Sequence, residues 1–512
     1  MIDPPHQKGP AMSDEDCART EPWVSDDIAP PDGAAWDLLV IGGGTAGIVA
    51  ATTAAGLGAS VLLVEDTRPG GDCLWTGCVP SKALLAAAHA AADARAAARF
   101  GVHVDSVRVD FGEVMTHVRS VIGYVEPDDS PATLRAAGVN VAHAYAGTGT
   151  DTAAVNAAEG GLGAAAPTEV RFRHALIATG SQPLVPLIPG LDDADPLTSD
   201  SIWTLTELPR RLLVLGGGSI GCELGQAFAR LGSQVTILEC EPNLLPREDP
   251  YAAGLLLAAL AEDGISIHNG ARLAAVESHG GALLARTEAG ATVPFDRVLV
   301  AVGRTPRTTG LGLAEAHVRT CERGYVEVDA RLRTTNARIY AAGDVTGHPQ
   351  FTHVAGVHGS VAATNAVLGL RRRAETATIP RVTFTQPEVA AVGVSPDDGD
   401  RHGLTVHTVH HDELDRARAE DTCRGVTRLV LDRRGRLVGA SIVGPRAGES
   451  LAELVLAAKR GLRARELAAA MHAYPTYGDG PWKAAIADVQ QRLERGPMRS
   501  VIKLLAARAR RR

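Results

Sequence analysis

The sequence predicts an α/β fold in which strand, glycine turn, helix and strand follow one another as a repeated unit. Two observations lead to this prediction: an apolar run ends in a glycine turn at residue 42, and the same pattern returns at residue 216. The chain has 512 residues, of which 45% are hydrophobic and 21% are charged. This length is sufficient for about three domains, so we expect two Rossmann-like dinucleotide-binding domains and a third domain.

The first unit begins with the apolar run 37–41, typical of a buried strand, and continues through the turn GGGTAG into a helix of small residues, 48–57. A second apolar run, 59–64, ends in Glu65, eighteen residues after the last glycine of the turn. Dinucleotide-binding folds place a ribose-binding carboxylate at about that distance. A glycine turn selected only for close packing is the alternative. The candidate nucleotide-binding residues are Gly42, Gly44, Gly47 and Glu65.

The second unit repeats this pattern, with an apolar run 212–215, the turn GGGSIG, a helix to about Leu231 and a strand 234–238. Each turn would let backbone amides approach a pyrophosphate at a helix N-terminus, so two dinucleotides are implied. The acid that follows the strand would bind a free 2′-hydroxyl and repel a 2′-phosphate, which favours NAD over NADP. Arg247 could offset that repulsion. The candidate residues of this site are Gly216, Gly218, Gly221 and Glu239.

Two cysteines five residues apart, in the segment GGDCLWTGCVPSK, follow the first unit. A regular helix would separate the Cα atoms of Cys73 and Cys78 by roughly 8–9 Å, whereas a disulfide tolerates about 7 Å. We therefore expect residues 73–78 to leave helical geometry at Gly77, and a helix to run over about 79–100. At the start of this helix, the amides and the macrodipole would lower the pKa of the Cys78 thiol. Two buried structural cysteines are the alternative.

This segment resembles the active-site signature of the class I pyridine nucleotide-disulfide oxidoreductases, which include glutathione reductase, dihydrolipoamide dehydrogenase and mercuric reductase. The resemblance covers residues 36 to about 495. It implies a homodimer in which electrons pass from a nicotinamide through FAD to the cysteine pair. By this resemblance, Cys73 is the interchange thiol and Cys78 is the charge-transfer thiolate beside the flavin. It also implies that Lys82 stabilises negative charge on the reduced flavin and pairs with Glu223.

Three further segments resemble landmarks of this family, and together they imply a domain plan. They contain Gly180 after a strand, Gly303 in the sequence VGRTP, and Asp344, which matches the carboxylate that binds the ribityl chain of FAD. The implied divisions are a disordered tail 1–35, an FAD-binding domain 36–183 continued by 304–376, an NAD(P)-binding domain 184–303, an α+β dimerisation domain 377–496, and a basic tail 497–512.

The most useful departure from the family pattern lies near the C-terminus. Disulfide-reducing members carry His-Pro-Thr there, followed by a glutamate, and the histidine serves the interchange thiol across the dimer interface. This chain has Tyr474 in place of the histidine and Asp479 at the acid position. A phenol with a pKa near 10 is a poor proton shuttle at pH 7, whereas imidazole titrates near 6.5. His472 could compensate, but it would point to the opposite side of an extended segment.

The Tyr-Pro-Thr sequence resembles that of mercuric-reductase-like members, in which aromatic hydroxyls face a metal ion bound by thiolates. We expect neither the metal-capturing N-terminal domain of those enzymes nor their C-terminal cysteine pair, since no cysteine follows Cys423. The electron acceptor therefore stays open between a metal ion, a quinone or dye reduced at the flavin, and a disulfide, as in dihydrolipoamide dehydrogenase. Two other hypotheses are a flavin diaphorase or oxidase with structural cysteines, and a membrane-surface adaptor.

Composition argues against several other classes. A net charge of −8 provides no basic stripe of the kind that nucleic-acid-binding proteins carry. Seven cysteines are too few and too irregular for a secreted disulfide framework, and none has tetrahedral metal-site spacing, so a cytoplasmic protein is expected. Residues 1–35 lack the apolar stretch of a signal peptide. The low-complexity stretch 151–166 is expected to form a loop, and the cationic tail is expected to be solvated rather than membrane-bound.

Overall fold

The computed structural model describes residues 28–31, 33–157, 168–495 and 505–510. This part of the chain forms two compact units. The first unit contains the described residues up to Leu187 together with Pro196–Leu208 and Leu299–Thr376, and the second contains Ile188–Asp195, Pro209–Val298 and the described residues from Ala377 onward. No helix within these described ranges combines the length and the apolar composition needed to cross a bilayer.

The strands, in chain order, are β1 Trp36–Ile41, β2 Val61–Glu65, β3 Asn140–Thr148, β4 Thr152–Ala157, β5 Thr168–Ile177, β6 Ser181–Pro183, β7 Arg211–Leu215, β8 Gln234–Glu239, β9 Ser266–Asn269, β10 Leu273–His279, β11 Ala282–Thr287, β12 Thr292–Phe295, β13 Arg297–Val300, β14 Arg304–Pro306, β15 Ile339–Ala341, β16 Arg381–Thr383, β17 Glu388–Gly393, β18 Thr405–His410, β19 Val426–Leu431 and β20 Leu437–Gly444.

The α-helices are α1 Thr45–Gly56, α2 Gly71–Trp75, α3 Cys78–Ala96, α4 Phe111–Asp129, α5 Pro131–Ala136, α6 Ser219–Leu231, α7 Pro250–Glu262, α8 Thr352–Leu368, α9 Pro396–Arg401, α10 Asp415–Ala419, α11 Ala447–Arg460, α12 Ala464–Ala469 and α13 Asp479–Arg495. Short 3-10 turns occur at Ala97–Phe100, Asp192–Ala194, Ile202–Thr204, Asp344–Thr346 and His411–Glu413.

The first unit is built on a parallel sheet in the order β3-β2-β1-β5-β15, and β4 pairs antiparallel with both β3 and β5. Every residue of β2 is buried, which is typical of a parallel strand covered on both faces. Helix α1 connects β1 to β2 and packs against α8. The carboxyl ends of β1, β2, β5 and β15 therefore lie at one edge of the sheet, where ligands bind in open α/β folds.

The second unit contains a parallel sheet in the order β13-β7-β8-β9, in which α6 connects β7 to β8. Its C-terminal part is a five-stranded antiparallel sheet in the order β16-β17-β20-β19-β18, with α11 packed against β17 and β20 and α13 against β18 and β19. A buried aliphatic cluster that includes Leu429, Ile442 and Leu454 joins this sheet to its helices. The predicted fold class, two Rossmann-like units and an α+β part, is confirmed.

The expectation of a loop over 151–166 is wrong for residues 152–157. Residues Thr152–Ala157 form β4, in which Ala153 and Val155 are buried while Ala154 and Asn156 are exposed. This alternation is the period of a half-buried strand, but small side chains give it a weak hydrophobic signal. Residues 158–166 lie outside the described part of the chain.

The two predicted tails fall largely outside the described residues, which begin at Ile28 and omit residues 496–504, 511 and 512. At its C-terminal end, the expected N-terminal tail contacts the first unit, since the indole of Trp36 donates a hydrogen bond to the carbonyl of Ile28 (3.0 Å). Ile28 also packs against the buried core. Of the basic tail, residues 505–510 are described and are exposed.

Candidate redox site

The cysteine segment consists of two helices separated by a break. Cys73 lies in α2, and Cys78 is the first residue of α3. The break falls at Gly77 (φ −117°, ψ −107°), where a Cβ atom would lie 2.7 Å from the carbonyl oxygen of Asp72. The prediction that residues 73–78 leave helical geometry is therefore confirmed, and close backbone approach adds a second reason for glycine at this position.

The two cysteines are free thiols whose side chains hydrogen-bond to each other. This hydrogen bond, together with burial, raises the pKa of the Cys73 thiol. Cys78 is exposed, and its Sγ lies 3.2 Å from the hydroxyl of Thr352 at the start of α8. The segment thus presents two adjacent thiols, one half-buried and one exposed at the N-terminus of a helix.

The first glycine turn leaves space at the N-terminus of α1. Gly42 has a φ of +104°, and a Cβ at Gly47 would lie 1.8 Å from the carbonyl oxygen of Gly42, so these two residues shape the turn itself. At Gly44, however, a Cβ would contact only the Cα of Gly71, at 3.9 Å. Protein packing therefore does not explain Gly44, and the open space beside the helix amides fits the pyrophosphate of FAD.

Glu65 ends β2 beside this turn. Its Oε2 accepts a hydrogen bond from the amide of Gly43 (2.6 Å), and its Oε1 accepts from the amide of Thr67 (2.9 Å) and from its hydroxyl (2.7 Å). Burial, with a smaller contribution from Asp66, raises the pKa of Glu65 to about 7. The carboxyl is thus held at the turn, in the position expected for a ribose-binding group.

Asp344 follows β15 at the same edge of the sheet. Its Oδ2 accepts a hydrogen bond from the hydroxyl of Ser181 (2.7 Å), and burial raises its pKa. Gly180 and Gly303 precede β6 and β14, two short strands that pair with each other. The sheet topology therefore brings together four predicted residues of the FAD site, namely Gly44, Glu65, Gly180 and Asp344.

The second glycine turn repeats this geometry in the second unit. Gly216 has a φ of +102°, and a Cβ at Gly221 would lie 1.9 Å from the carbonyl oxygen of Gly216. At Gly218, a Cβ would meet nothing within 4 Å. Glu239 accepts hydrogen bonds from the amides of Gly217 (2.6 Å) and Glu241 (2.7 Å). The open space at Gly218 fits a second pyrophosphate.

Lys82 and Glu223 lie in different units. In the first unit, Lys82 is on α3, one turn after Cys78, and its ammonium donates a hydrogen bond to the hydroxyl of Ser81 (3.3 Å). In the second unit, Glu223 is buried on α6 and accepts a hydrogen bond from the amide of Phe384 (3.0 Å). The carboxylate of Glu223 therefore connects α6 to the C-terminal part of its own unit.

Tyr474 is 69% exposed, and its hydroxyl donates a hydrogen bond to the carboxylate of Asp415. This hydrogen bond raises the pKa of the Tyr474 phenol. Asp479, at the predicted acid position, is instead buried at the start of α13, and burial raises its pKa. Sequence reasoning missed Asp415, because the contact spans 59 residues and no local pattern indicates it.

His472 has a carboxylate partner that was also missed. Its Nε2 lies 3.0 Å from Oε2 of Glu453 on α11, and its Nδ1 lies 3.1 Å from the carbonyl oxygen of Ala470. The side chain is 12% exposed, and its ring centroid lies 6.1 Å from that of Trp482. His472 and Tyr474 thus have separate acidic partners.

Comparison with known proteins identifies the family. Residues 36–359 match the family described as pyridine nucleotide-disulphide oxidoreductase, and residues 379–485 match its dimerisation domain. The chain belongs to this family. It is an NAD(P)H-dependent flavoprotein oxidoreductase of the disulfide-reductase type, and its cofactor is FAD. The resemblance inferred from the sequence is confirmed.

The similar proteins differ in their acceptors. Mercuric reductase from Streptomyces lividans is 38% identical over 451 residues, which are 87% of this chain and 94% of that protein. Dihydrolipoyl dehydrogenase from Haloferax volcanii is 37% identical over 467 residues, 88% of this chain and 95% of that protein.

Solved structures show the same fold over most of the chain. LpdA from Mycobacterium tuberculosis has a TM-score of 0.80 and 29% identity, covering 88% of this chain and 99% of its own. A Cu(II) complex of the HOCl-induced flavoprotein disulfide reductase RclA from Escherichia coli has a TM-score of 0.78 and 28% identity, covering 88% and 99%.

Proposed function

We propose that Cys73 and Cys78 form the redox-active pair of this flavoenzyme, and that a thiophilic metal ion such as Hg²⁺ is the final electron acceptor. FAD, held at the first glycine turn, would supply two-electron transfer from the nicotinamide to this pair. The observation that carries this choice of acceptor is the side chain of Tyr474, whose phenol is a hydrogen-bond donor to Asp415. Disulfide-reducing members of the family use an imidazole at this position.

The proton balance of the reaction explains why a phenol is compatible with a metal ion as electron acceptor. Reduction of Hg²⁺ by NADH yields Hg⁰, NAD⁺ and a proton, so the protein need not donate one. Reduction of an organic disulfide by NADH consumes a proton, and an imidazole titrating near neutral pH provides it efficiently. A phenol whose pKa is raised by Asp415 retains its proton at neutral pH and serves as a hydrogen-bond donor. The similarity to mercuric reductases agrees with this proposal.

We assign the other predicted residues in the same way. Lys82 would stabilise negative charge on the reduced flavin, and Asp344 would bind the ribityl chain. Glu223, which accepts from the amide of Phe384, keeps the role of acidic partner of Lys82 that the family resemblance implies. The glycine turns would hold the two pyrophosphates at the N-termini of α1 and α6.

NADH is the proposed electron donor. Glu239 is fixed by two backbone amides at the end of β8, and Glu241 adds a second carboxylate two residues later. Both negative charges oppose the 2′-phosphate of NADPH, whereas Glu239 can accept from a 2′-hydroxyl. Arg247, which could offset this repulsion, lies exposed on the surface.

We also propose a cytoplasmic homodimer in which the second subunit completes each active site. The dimerisation domain supports the assembly, and seven irregularly spaced cysteines fit a reducing compartment. Tyr474 and Asp415 of one subunit would then act on the cysteine pair of the other. The acceptor is a small molecule or ion, so no nucleic acid and no membrane partner is part of this proposal.

An organic disulfide is the second candidate acceptor, and the pairing of His472 with Glu453 favours it. A histidine oriented by a carboxylate is a common arrangement in general acid–base catalysis. This candidate places proton transfer on His472 rather than on Tyr474, and the similarity to dihydrolipoyl dehydrogenases agrees with it.

The two candidate acceptors can be distinguished by the activities that variants of Tyr474 and His472 lose. The FAD-loaded enzyme is assayed with NADH against Hg²⁺, oxidised lipoamide, oxidised glutathione and a naphthoquinone. Hg²⁺ is expected to be the best of the thiol-dependent acceptors, with Tyr474→Phe reducing its turnover and His472→Gln sparing it. Rapid lipoamide turnover that is lost in His472→Gln and retained in Tyr474→Phe would establish the second candidate instead.

Cys73→Ala tests the role of the cysteine pair itself. This variant should lose Hg²⁺ turnover and retain naphthoquinone reduction, which can occur directly at the flavin. If every activity survives in Cys73→Ala, the cysteines are structural and the enzyme is a diaphorase.

A further inference from the structure

A largely buried arginine joins the cysteine segment to the rest of the first unit. The guanidinium of Arg304, which is 14% exposed, donates hydrogen bonds to the carboxylate of Asp72, the hydroxyl of Ser181 (2.7 Å) and the hydroxyl of Ser199 (3.1 Å). It also lies 3.7 Å from the carboxylate of Asp200. A buried guanidinium with several acceptors fixes their relative positions, because its planar fork offers donors in set directions.

One set of these contacts reaches the proposed flavin-binding carboxylate. Ser181 accepts a hydrogen bond from Nε of Arg304 (2.7 Å) and donates its own proton to Asp344 (2.7 Å). Since a serine hydroxyl has a single proton, its acceptance from Arg304 directs that proton to Asp344. Burial raises the pKa of Asp344, so its carboxylate depends on such donors.

The other set holds the cysteine segment at two points. Asp72 immediately precedes Cys73 and is held by Arg304. Four residues later, the carbonyl oxygen of Thr76 accepts a hydrogen bond from the indole of Trp203 (2.9 Å). Asp200, three residues before Trp203, pairs with Arg304 at 3.7 Å. The chain between these two points carries Cys73 and ends directly before the break that precedes Cys78.

We propose that Arg304 is a positioning residue that holds the Cys73–Cys78 segment and Asp344 in one fixed arrangement and thereby stabilises the disulfide form of the pair. This inference rests on the proposed function of the cysteines and of Asp344. Its chemical basis is the restricted geometry of a disulfide, which requires Cβ atoms about 3.5–4.5 Å apart.

The reaction affected is the two-electron oxidation of the pair. The Cys73 and Cys78 thiols release two protons and two electrons and form one S–S bond, and in a glutathione buffer one molecule of oxidised glutathione accepts them to give two of reduced glutathione. When the segment is fixed, one thiol meets the other at high effective concentration, and the disulfide is favoured. When Asp72 is released, this effective concentration falls and the disulfide is reduced more easily.

Arg304→Lys is the central variant, because it keeps the charge and removes the planar set of donors. Holoenzyme is equilibrated in buffers of reduced and oxidised glutathione, free thiols are alkylated, and the disulfide fraction is measured by mass spectrometry. We expect the equilibrium constant for disulfide formation to fall about tenfold, which is a rise of roughly 30 mV in reduction potential. FAD affinity, measured by reconstitution of the apoprotein, should also fall about tenfold.

Arg307→Lys is the matched control. Arg307 faces two of the same carboxylates, Asp72 at 3.9 Å and Asp200 at 3.7 Å, but it is 44% exposed and lies beyond hydrogen-bond distance of both. This variant should leave the reduction potential and the FAD affinity unchanged. Equal shifts in both lysine variants, or no shift in either, would overturn the proposal.

Two further variants separate the two sets of contacts. They test the proposal even if Arg304→Lys does not fold. Asp72→Asn should raise the reduction potential with little change in FAD affinity, and Ser181→Ala should weaken FAD binding with little change in potential. If each variant alters both quantities equally, the fixed-arrangement model is wrong. A wild-type enzyme that binds no FAD or forms no Cys73–Cys78 disulfide would instead refute the proposed function.

Discussion

Glu65 is expected to make the stability of the apoprotein depend on pH. Burial raises its pKa from 4.5 to about 7, although it accepts a hydrogen bond from Gly43. A carboxyl with a raised pKa binds its proton more tightly in the folded state than in the unfolded state. The resulting stability is fully present below pH 4.5 and is lost as the pH rises through 7. At about 1.4 kcal/mol per pKa unit, the loss is roughly 3 kcal/mol of unfolding free energy.

The assay compares wild-type apoprotein with Glu65→Gln in urea unfolding, followed by circular dichroism, at pH values from about 4 to about 8. Glutamine retains an oxygen that can accept from Gly43 but has no proton to lose in this range. The wild type should therefore lose about 3 kcal/mol more than the variant between these limits. Parallel pH profiles for the two proteins would show that burial of this carboxyl does not control the apoprotein.

Three further predictions concern the ligand sites. Gly44→Ala should weaken FAD binding and leave the stability of the apoprotein unchanged. Gly47→Ala, in contrast, would place a Cβ 1.8 Å from a carbonyl oxygen, so it should lower the unfolding free energy by several kcal/mol, measured in urea titrations. Glu239→Ser should raise kcat/KM for NADPH relative to NADH at least tenfold, and an unchanged ratio would remove the assigned role of that carboxylate. Tyr474→His should raise disulfide turnover by about 10²-fold or more if proton transfer limits it, and equal rates in steady-state lipoamide assays would contradict this explanation.

The parts of the site that the sequence predicts are those encoded by short spacings. The glycine turns, the acids Glu65 and Glu239, and the break between Cys73 and Cys78 all follow from patterns within about twenty residues. Such features depend on local conformation, because a buried strand and a glycine turn can each be recognised from a few consecutive residues. The structure changes only their boundaries, as in α1, which begins at Thr45.

The contacts that the sequence does not predict are long in sequence and polar. Arg304 and Asp72 are 232 residues apart, and Tyr474 and Asp415 are 59 apart. Neither pair has a period or a spacing that could indicate it, because the contact arises only when separate elements pack together. Identifying the partner of an isolated charged residue therefore requires the tertiary structure. Recognising that a residue belongs to a short motif does not.

The two nucleotide sites share one arrangement of glycine turn and carboxylate, so their selectivity for different nucleotides must come from the surrounding residues. In each unit the acid at the end of the second strand accepts from a glycine amide 22 residues earlier, at 2.6 Å. The second oxygen differs in its surroundings: Glu65 accepts from the Thr67 hydroxyl, whereas Glu239 has Glu241 at the equivalent position and accepts from the Glu241 backbone amide. The residue two positions after the acid is therefore a neutral donor in the first unit and a carboxylate in the second. A 2′-phosphate would face two carboxylates in the second unit, which is the electrostatic basis of the proposed preference for NADH.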